Sequence, residues 1–357
     1  MPDMMNGAPP AEAARSRLFF MSPRSESMYK LTGSTHVLRK ILQCMLGLGL
    51  AAGAAPSLAQ PAFPAKPVKL VVPAPPGGAG DTSARAIARH MSQTLDQQVV
   101  VENKPGAATT IGYKSLANAA PDGYTIGLVP LAGIAIASVT YKDLPDIERD
   151  FAAVAGIADA PHMLVVPASL GVTNVDELVA LLKSRPGHYN YASQGSGSLS
   201  HIESAVFLAG AGASATHVPY KGSSEAVPGL ITGATSMMFD SVSSVLPHVR
   251  ANKLVPLATA ASNRVPQLPD VPTMAELGYD LKADNAFVLL APAGTPPANL
   301  QVLSEAVRKA VGDAEVIATL ENSGIVARYT APDDLRPVLA KEFALWPALA
   351  KKLAETN

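Results

Sequence analysis

Short β-rich runs alternate with helical spacings from residue 68 onward. Val68-Lys69-Leu70-Val71-Val72-Pro73 reads as a strand that stops at a Pro/Gly cluster. Beyond it Ala84, Ile87, Ala88, Met91 and Leu95 fall on one helical face, and Asp81 or Thr82 is placed to cap that helix. Val99-Val100-Val101 predicts a second strand, closed by Glu102-Asn103-Lys104-Pro105-Gly106. A helical stretch follows with Ile111 and Leu116 apolar, then an Asp122-Gly123 turn and a third strand from Thr125 to Val129. This strand–helix order predicts a parallel sheet covered on both faces.

The pattern recurs in kind further on. Strands are expected at Met163 to Val166, Tyr189 to Ala192, His217 to Tyr220, Ser236 to Phe239, Leu254 to Ala258 and Ala286 to Ala291. Asn174 caps a helix carrying Val175, Leu178, Val179 and Leu182, which Pro186-Gly187 ends. Another helix runs through Ile202, Ala205, Val206 and Ala209. Pro296-Pro297 opens a helix with Leu300, Leu303, Val307 and Ala310 inward. Residues 335–353 read as helical, with Pro347 expected to kink or break the helix. The reading is α/β with two lobes, each a mostly parallel sheet flanked by helices. Residues 60–160 and 286–357 would form one lobe and 161–285 the other. A ligand belongs where strand C-termini of both lobes face a common cleft.

The first sixty residues have a different character. Lys30, Arg39 and Lys40 precede an apolar run from Ile41 to Ala55, and Ser57-Leu58-Ala59 supplies a small-x-small site. This is the layout of a cleaved signal peptide, residues 1–59, and it predicts a periplasmic protein. The run is short of the roughly 20 residues that a membrane span needs. Cys44 follows Gln43 near the start of the run, where it reads as a small hydrophobe of the signal helix rather than a lipid anchor. Cleavage would leave 298 residues with 22 basic and 26 acidic side chains and no cysteine. Such a chain is held together by its core, without disulfides.

Composition narrows the function. Lys+Arg total 28 against 29 Asp+Glu, a formal charge of −1, which offers no basic field for nucleic acid. Aromatic residues make up only 5%, too few for a base-stacking surface. One cysteine excludes a multi-thiolate metal site, and the seven histidines show no paired ligand spacing. No metal and no cofactor is expected, and the chain is expected to act as a monomer.

Two loops carry candidate chemistry. Pro75-Pro76-Gly77-Gly78-Ala79-Gly80-Asp81-Thr82 lies between a strand and a helix, where glycine lets backbone N–H groups approach an anion at a helix start. An ordinary tight turn, with Asp81 as helix cap, is the simpler alternative. Ser193-Gln194-Gly195-Ser196-Gly197-Ser198 occupies the same position in the second lobe and adds hydroxyl donors. Asp240, at the end of a strand, is placed to orient a ligand donor or to close a loop. Lys221 reads as solvated and Trp346 as core or interlobe packing. Enzyme motifs fail on spacing: Ser196 lacks a glycine two residues before it, and Ser83 stands where a dinucleotide fingerprint needs Gly or Ala. A secreted serine hydrolase using Ser196 or Ser198 with His201 stays open as a rival.

Seven segments in order resemble the Bug family of extracytoplasmic solute-binding proteins of tripartite tricarboxylate transporters. They are Val72 to Asp81, Glu102 to Gly106, Pro121 to Thr125, Tyr191 to His201, His217 to Gly222, Leu268 to Thr273 and Ala291 to Pro296. The resemblance covers residues 62–354. It implies a Venus flytrap that holds a small mono- or dicarboxylate through backbone N–H groups and bridging waters. Permease subunits, or a sensor, would be its membrane partners. Carried onto this chain, it implicates Gly77, Gly78 and Asp81 in one lobe and Ser193, Gly195, Ser196 and Ser198 in the other. Ala74 stands where the family commonly has Phe, a difference in the pocket's side-chain wall.

Overall fold

Apolar runs of four to nine residues build eleven strands in the computed structural model, which describes residues 63–356. The expected signal peptide lies outside the described residues. In chain order the strands are β1 (Val68–Val72), β2 (Val99–Asn103), β3 (Thr125–Pro130), β4 (Phe151–Asp159), β5 (His162–Pro167), β6 (Asn190–Ser193), β7 (Thr216–Pro219), β8 (Met237–Ser241), β9 (Leu254–Thr259), β10 (Ala286–Pro292) and β11 (Val326–Thr330). The helices are α1 (Ala79–Leu95), α2 (Thr110–Ala117), α3 (Leu131–Thr140), α4 (Val175–Ser184), α5 (Leu199–Ala211), α6 (Ser223–Ile231), α7 (Val242–Arg250), α8 (Pro297–Gly312), α9 (Ala314–Asn322) and α10 (Leu335–Thr356).

The strands form two sheets, ordered β11-β4-β10-β3-β1-β2 and β7-β6-β8-β5-β9. Both are mixed rather than mostly parallel. β1 pairs in parallel with β2 and β3, and β6 with β7 and β8, as strand–helix–strand units require. β10 runs antiparallel to β3 and β4, and β5 antiparallel to β8 and β9. The reason lies in the crossings between sheets. β3 and β8 end at one level, at Pro130 and Ser241. β10 and β5 begin there: Phe287 pairs with Pro130 and His162 with Ser241. A strand that starts at the level where its neighbours stop must run against them.

Each sheet is packed on both faces. α1 and α8 set Ile87, Met91, Leu303 and Val307 against Leu70, Leu128 and Leu289 of the first sheet. Tyr113, Leu116, Phe151 and Val288 fill its other face. In the second sheet Phe207 and Phe239 pack on one side, and Met163, Met238 and Val245 on the other. Two helices join both cores. α3 gives Ala132 and Ile136 to the second sheet's core and Leu131 and Ile134 to the first's. α10 sets Leu335 in the first and the fully buried Trp346 in the second. It runs through Pro347 without ending, with Trp346 Nε1 donating to Glu342 Oε2 at 2.6 Å one turn back.

Candidate functional site

Strand ends of both sheets border one cavity of about 450 Å³, within the range of small-molecule sites. The first sheet contributes the Pro73–Gly80 loop after β1, the end of β3, and Asn285 and Phe287 at the start of β10. The second contributes His162, Gln194, the start of α6 and the start of α7. The lobes come close here: a Cβ built on Gly222 would lie 3.5 Å from Pro75 Cγ.

Of the helices that begin at this cavity without a side-chain cap, three also put first-turn residues in its wall. They are α1 with Gly78 at its N-cap, α6 with Gly222 and α7 with Ser241. Their first residues line it, namely Ala79 and Gly80, Ser223 and Ser224, and Ser243 and Ser244. Uncapped first-turn N–H groups and the positive end of the helix dipole favour a negative charge. Elsewhere in the chain Asn174, Ser198 and Asp313 cap their own helices. Among the described residues no Lys, Arg, Asp or Glu lines the cavity. Its fit to an anion comes from the backbone and from hydroxyls, with His162 and His248 also in the wall.

Of the residues singled out in the sequence, Gly77 and Gly78 line the wall. Asp81 lies behind them, 4% exposed. It accepts from the Gly77 N–H at 3.0 Å, from Asn103 Nδ2 at 3.0 Å and from Arg85 Nε at 3.0 Å. Burial opposes its ionisation, yet Arg85 and these hydrogen bonds hold its carboxyl below the ordinary range. Asp81 therefore fixes the shape of the glycine loop.

The loop between β6 and α5 sends Gln194 to the cavity, while Ser193, Gly195, Ser196 and Ser198 are not among the lining residues. Ser198 caps α5 by accepting from the His201 N–H, and it donates to the Gly195 carbonyl at 2.7 Å. Ser193 is fully buried, with Oγ 2.6 Å from His217 Nε2. The hydroxyls of Ser193 and Ser198 are thus engaged within the protein. His201 Nδ1 accepts from the Gly197 N–H, and its ring stacks on His217 with centroids 4.0 Å apart. Neither the Ser196 nor the Ser198 hydroxyl bonds the His201 ring, whose Nδ1 is taken by the Gly197 N–H, so the geometry of a Ser–His nucleophile is not formed there.

Asp240 is fully buried beneath the wall. Its Oδ1 accepts from Gln194 Nε2, Ser223 Oγ and the Ser241 N–H, tying three cavity residues together. Burial raises its carboxyl above the ordinary value despite those donors and nearby His162. His162, 2% exposed, pairs with the buried Glu203 at 2.7 Å. Burial disfavours its charged form, but the Glu203 carboxylate outweighs that and raises its pKa.

Reading from the sequence missed His162, Asn285 and the Ser223–Ser224 and Ser241–Ser244 starts. One signal was present: Tyr220-Lys221-Gly222 puts glycine, not a capping side chain, just before a helix. Among the described residues no cluster of three His, Cys, Asp or Glu could hold a metal, and no helix is long and apolar enough to cross a membrane.

Two α/β lobes with a cavity at facing strand ends define a solute-binding protein of the periplasmic-binding-protein type. A family model described as the tripartite tricarboxylate transporter family receptor matches residues 83–354. The chain belongs to that family, which bears out the Bug resemblance. It is 35% identical over 319 residues to Protein BugT of Bordetella pertussis, covering 87% of this chain and 97% of the relative. A Rhodopseudomonas palustris protein solved with adipate superposes with a TM-score of 0.77 at 30% identity, covering 82% of this chain and 98% of that one. MatC of the same organism, with bound malate, gives 0.74 at 30% identity, covering 81% and 100%.

Proposed function

We propose that this protein is exported to the periplasm after removal of residues 1–59. There it captures a small mono- or dicarboxylate between its lobes and hands it to membrane permease subunits, without catalysing a reaction. The observation that carries the reading is the convergence of three uncapped helix starts, at Gly78, Gly222 and Ser241, on one cavity lined by no Lys or Arg. Fixed backbone dipoles hold an anion there without a Lys or Arg, beside two wall histidines, His162 and His248. The adipate and malate bound by two structural neighbours support the ligand class.

Within this reading Gly78 and the first turn of α1 present the first lobe's donors, Gly77 shapes the loop through its bond to Asp81, and Ser223, Ser224, Ser243 and Ser244 present the second's. Asp81 and Asp240 position them from behind. Ser193, Gly195, Ser196 and Ser198 shape the loop that delivers Gln194. Closure of the lobes would complete the site.

Calorimetry on ligand-stripped protein with mono- and dicarboxylates, sugars and amino acids tests the ligand class. Binding confined to carboxylates is the expected result, and no heat with any carboxylate would overturn it. Co-purification with membrane proteins tests delivery.

A further inference from the structure

Two buried polar atoms have no hydrogen-bond partner and belong to residues lining the cavity: Asn285 Oδ1 and Thr109 Oγ1. Buried polar atoms in folded proteins are nearly always paired, so each such case calls for a cause. Asn285 is only 6% exposed. Its Nδ2 donates to the Ala160 carbonyl at 3.1 Å. A carbonyl only accepts, so the amide orientation is fixed and Oδ1 is the free end. Asn285 is thus a lining residue whose unpaired group is an acceptor and not a donor.

Both residues have left-handed backbone. Asn285 has φ of 53° and Thr109 φ of 75°. Asparagine tolerates this region, but for a β-branched residue it is an outlier. Thr109 also closes a run with Ala107 at 45° and Ala108 at 48°. Backbone strain of this kind gathers where a side chain has to be aimed at a particular place.

Gln194 adds to the pattern across the cavity. Its Nε2 donates to Asp240 Oδ1 and Ser223 Oγ, which leaves its amide oxygen as the unengaged end. The helix starts already supply donors for carboxylate oxygens. The acceptors of Asn285 and Gln194 cannot serve those oxygens, since two acceptors repel.

We propose that Asn285 and Thr109 form a subsite that reads a hydroxyl group on the ligand, so that the preferred class is a hydroxycarboxylate. The inference rests on the carboxylate reading and deepens it. A hydroxyl can donate to an amide oxygen and accept from a threonine hydroxyl, matching both free atoms. An ammonium group would bring a full charge among lining residues that carry no carboxylate, at a greater desolvation cost. An unsubstituted carboxylate would leave Asn285 Oδ1 buried and unpaired in the complex, the situation in which sites discriminate most strongly.

The test is calorimetry on the ligand-stripped protein with pairs differing by one hydroxyl: lactate and propionate, malate and succinate, 2-hydroxyglutarate and glutarate. In the pairs that bind, the hydroxylated member is expected to bind at least about tenfold more tightly. Thr109→Ala joins a run of alanines in the same conformation, and Asn285→Gly suits a positive φ, so both variants are expected to fold. Each should bring the ratio toward one by weakening the hydroxylated member more than its unsubstituted partner. Equal binding within every pair by the wild-type protein overturns the subsite and leaves the carboxylate reading standing. So do variants that weaken both members alike. Binding of no member of any pair overturns both.

Discussion

Asp240 Oδ1 accepts a hydrogen bond from Gln194 Nε2 at 2.6 Å, joining the end of β8 to the loop after β6. The same oxygen accepts from Ser223 Oγ and the Ser241 N–H, so one buried atom sets the positions of three cavity residues. Asp240→Ala is expected to cost about 2–4 kcal/mol, because buried donors lose their acceptor. Asp240→Asn keeps the accepting oxygen and should cost only about 1 kcal/mol. Urea unfolding compares the two. Ligand affinity should follow the same order.

Gly222 sits at φ of 123°, a region nearly closed to side chains, while a Cβ there would meet Pro75 only at ordinary contact distance. Gly222→Ala should therefore act through the backbone, costing about 1–3 kcal/mol and weakening ligand binding by shifting the start of α6. Gly171→Ala serves as the comparison. Gly171 has φ of 73°, nothing within 4 Å of a built Cβ, and no place in the cavity wall. It should lose about 1 kcal/mol and keep its affinity.

The stacked His201 and His217 give a pH dependence of defined sign. Burial, then the proximity of His201, pushes His217 down from 6.5 to about 4, and burial also lowers His201. Between those pH values the unfolded chain takes up a proton that the folded chain refuses. The stability from this pair is thus full above pH 6.5 and falls as pH drops toward 4. His217→Phe keeps a ring in the stack and removes one titrating group. Thermal unfolding across this range should show a shallower slope for the variant.

Trp346→Phe probes the joint between α10 and the second core. Glu342 is 5% exposed, and burial raises its pKa against the help of the Trp346 N–H. Without that donor the carboxylate is costlier to keep charged. The variant should lose about 1–3 kcal/mol at neutral pH and less below the usual glutamate range, read by denaturant midpoints at two pH values.

Strands with one runs-and-breaks signature were legible in the sequence, as were helices with one apolar face such as α1 and α4. β4 and α3 were not. Phe151–Asp159 is largely buried and mostly small, so it shows no alternation. Leu131–Thr140 is apolar nearly all round because it lies between two cores. The glycine loop at Gly77 and Gly78 was legible as cavity wall, since backbone approach leaves a compositional trace. The serines of 193–198 lie outside the cavity wall, and the sequence does not show it: in Ser198 a hydroxyl that caps its own helix looks the same as one that faces a cavity. Asn285 left no trace, because its role depends on which end of its amide Ala160 occupies.

That bond to Ala160 has a mechanical side. The Ala160 N–H donates to the Asn285 carbonyl at 3.1 Å, and Asn285 Nδ2 returns a bond to the Ala160 carbonyl. Ala160 lies on the passage from β4 to β5, and Asn285 on the return into β10. The two threads that join the halves are thereby buttoned together at a single rung. The two connections thus form a double-ply strap, and the residue that fastens it also lines the cavity wall.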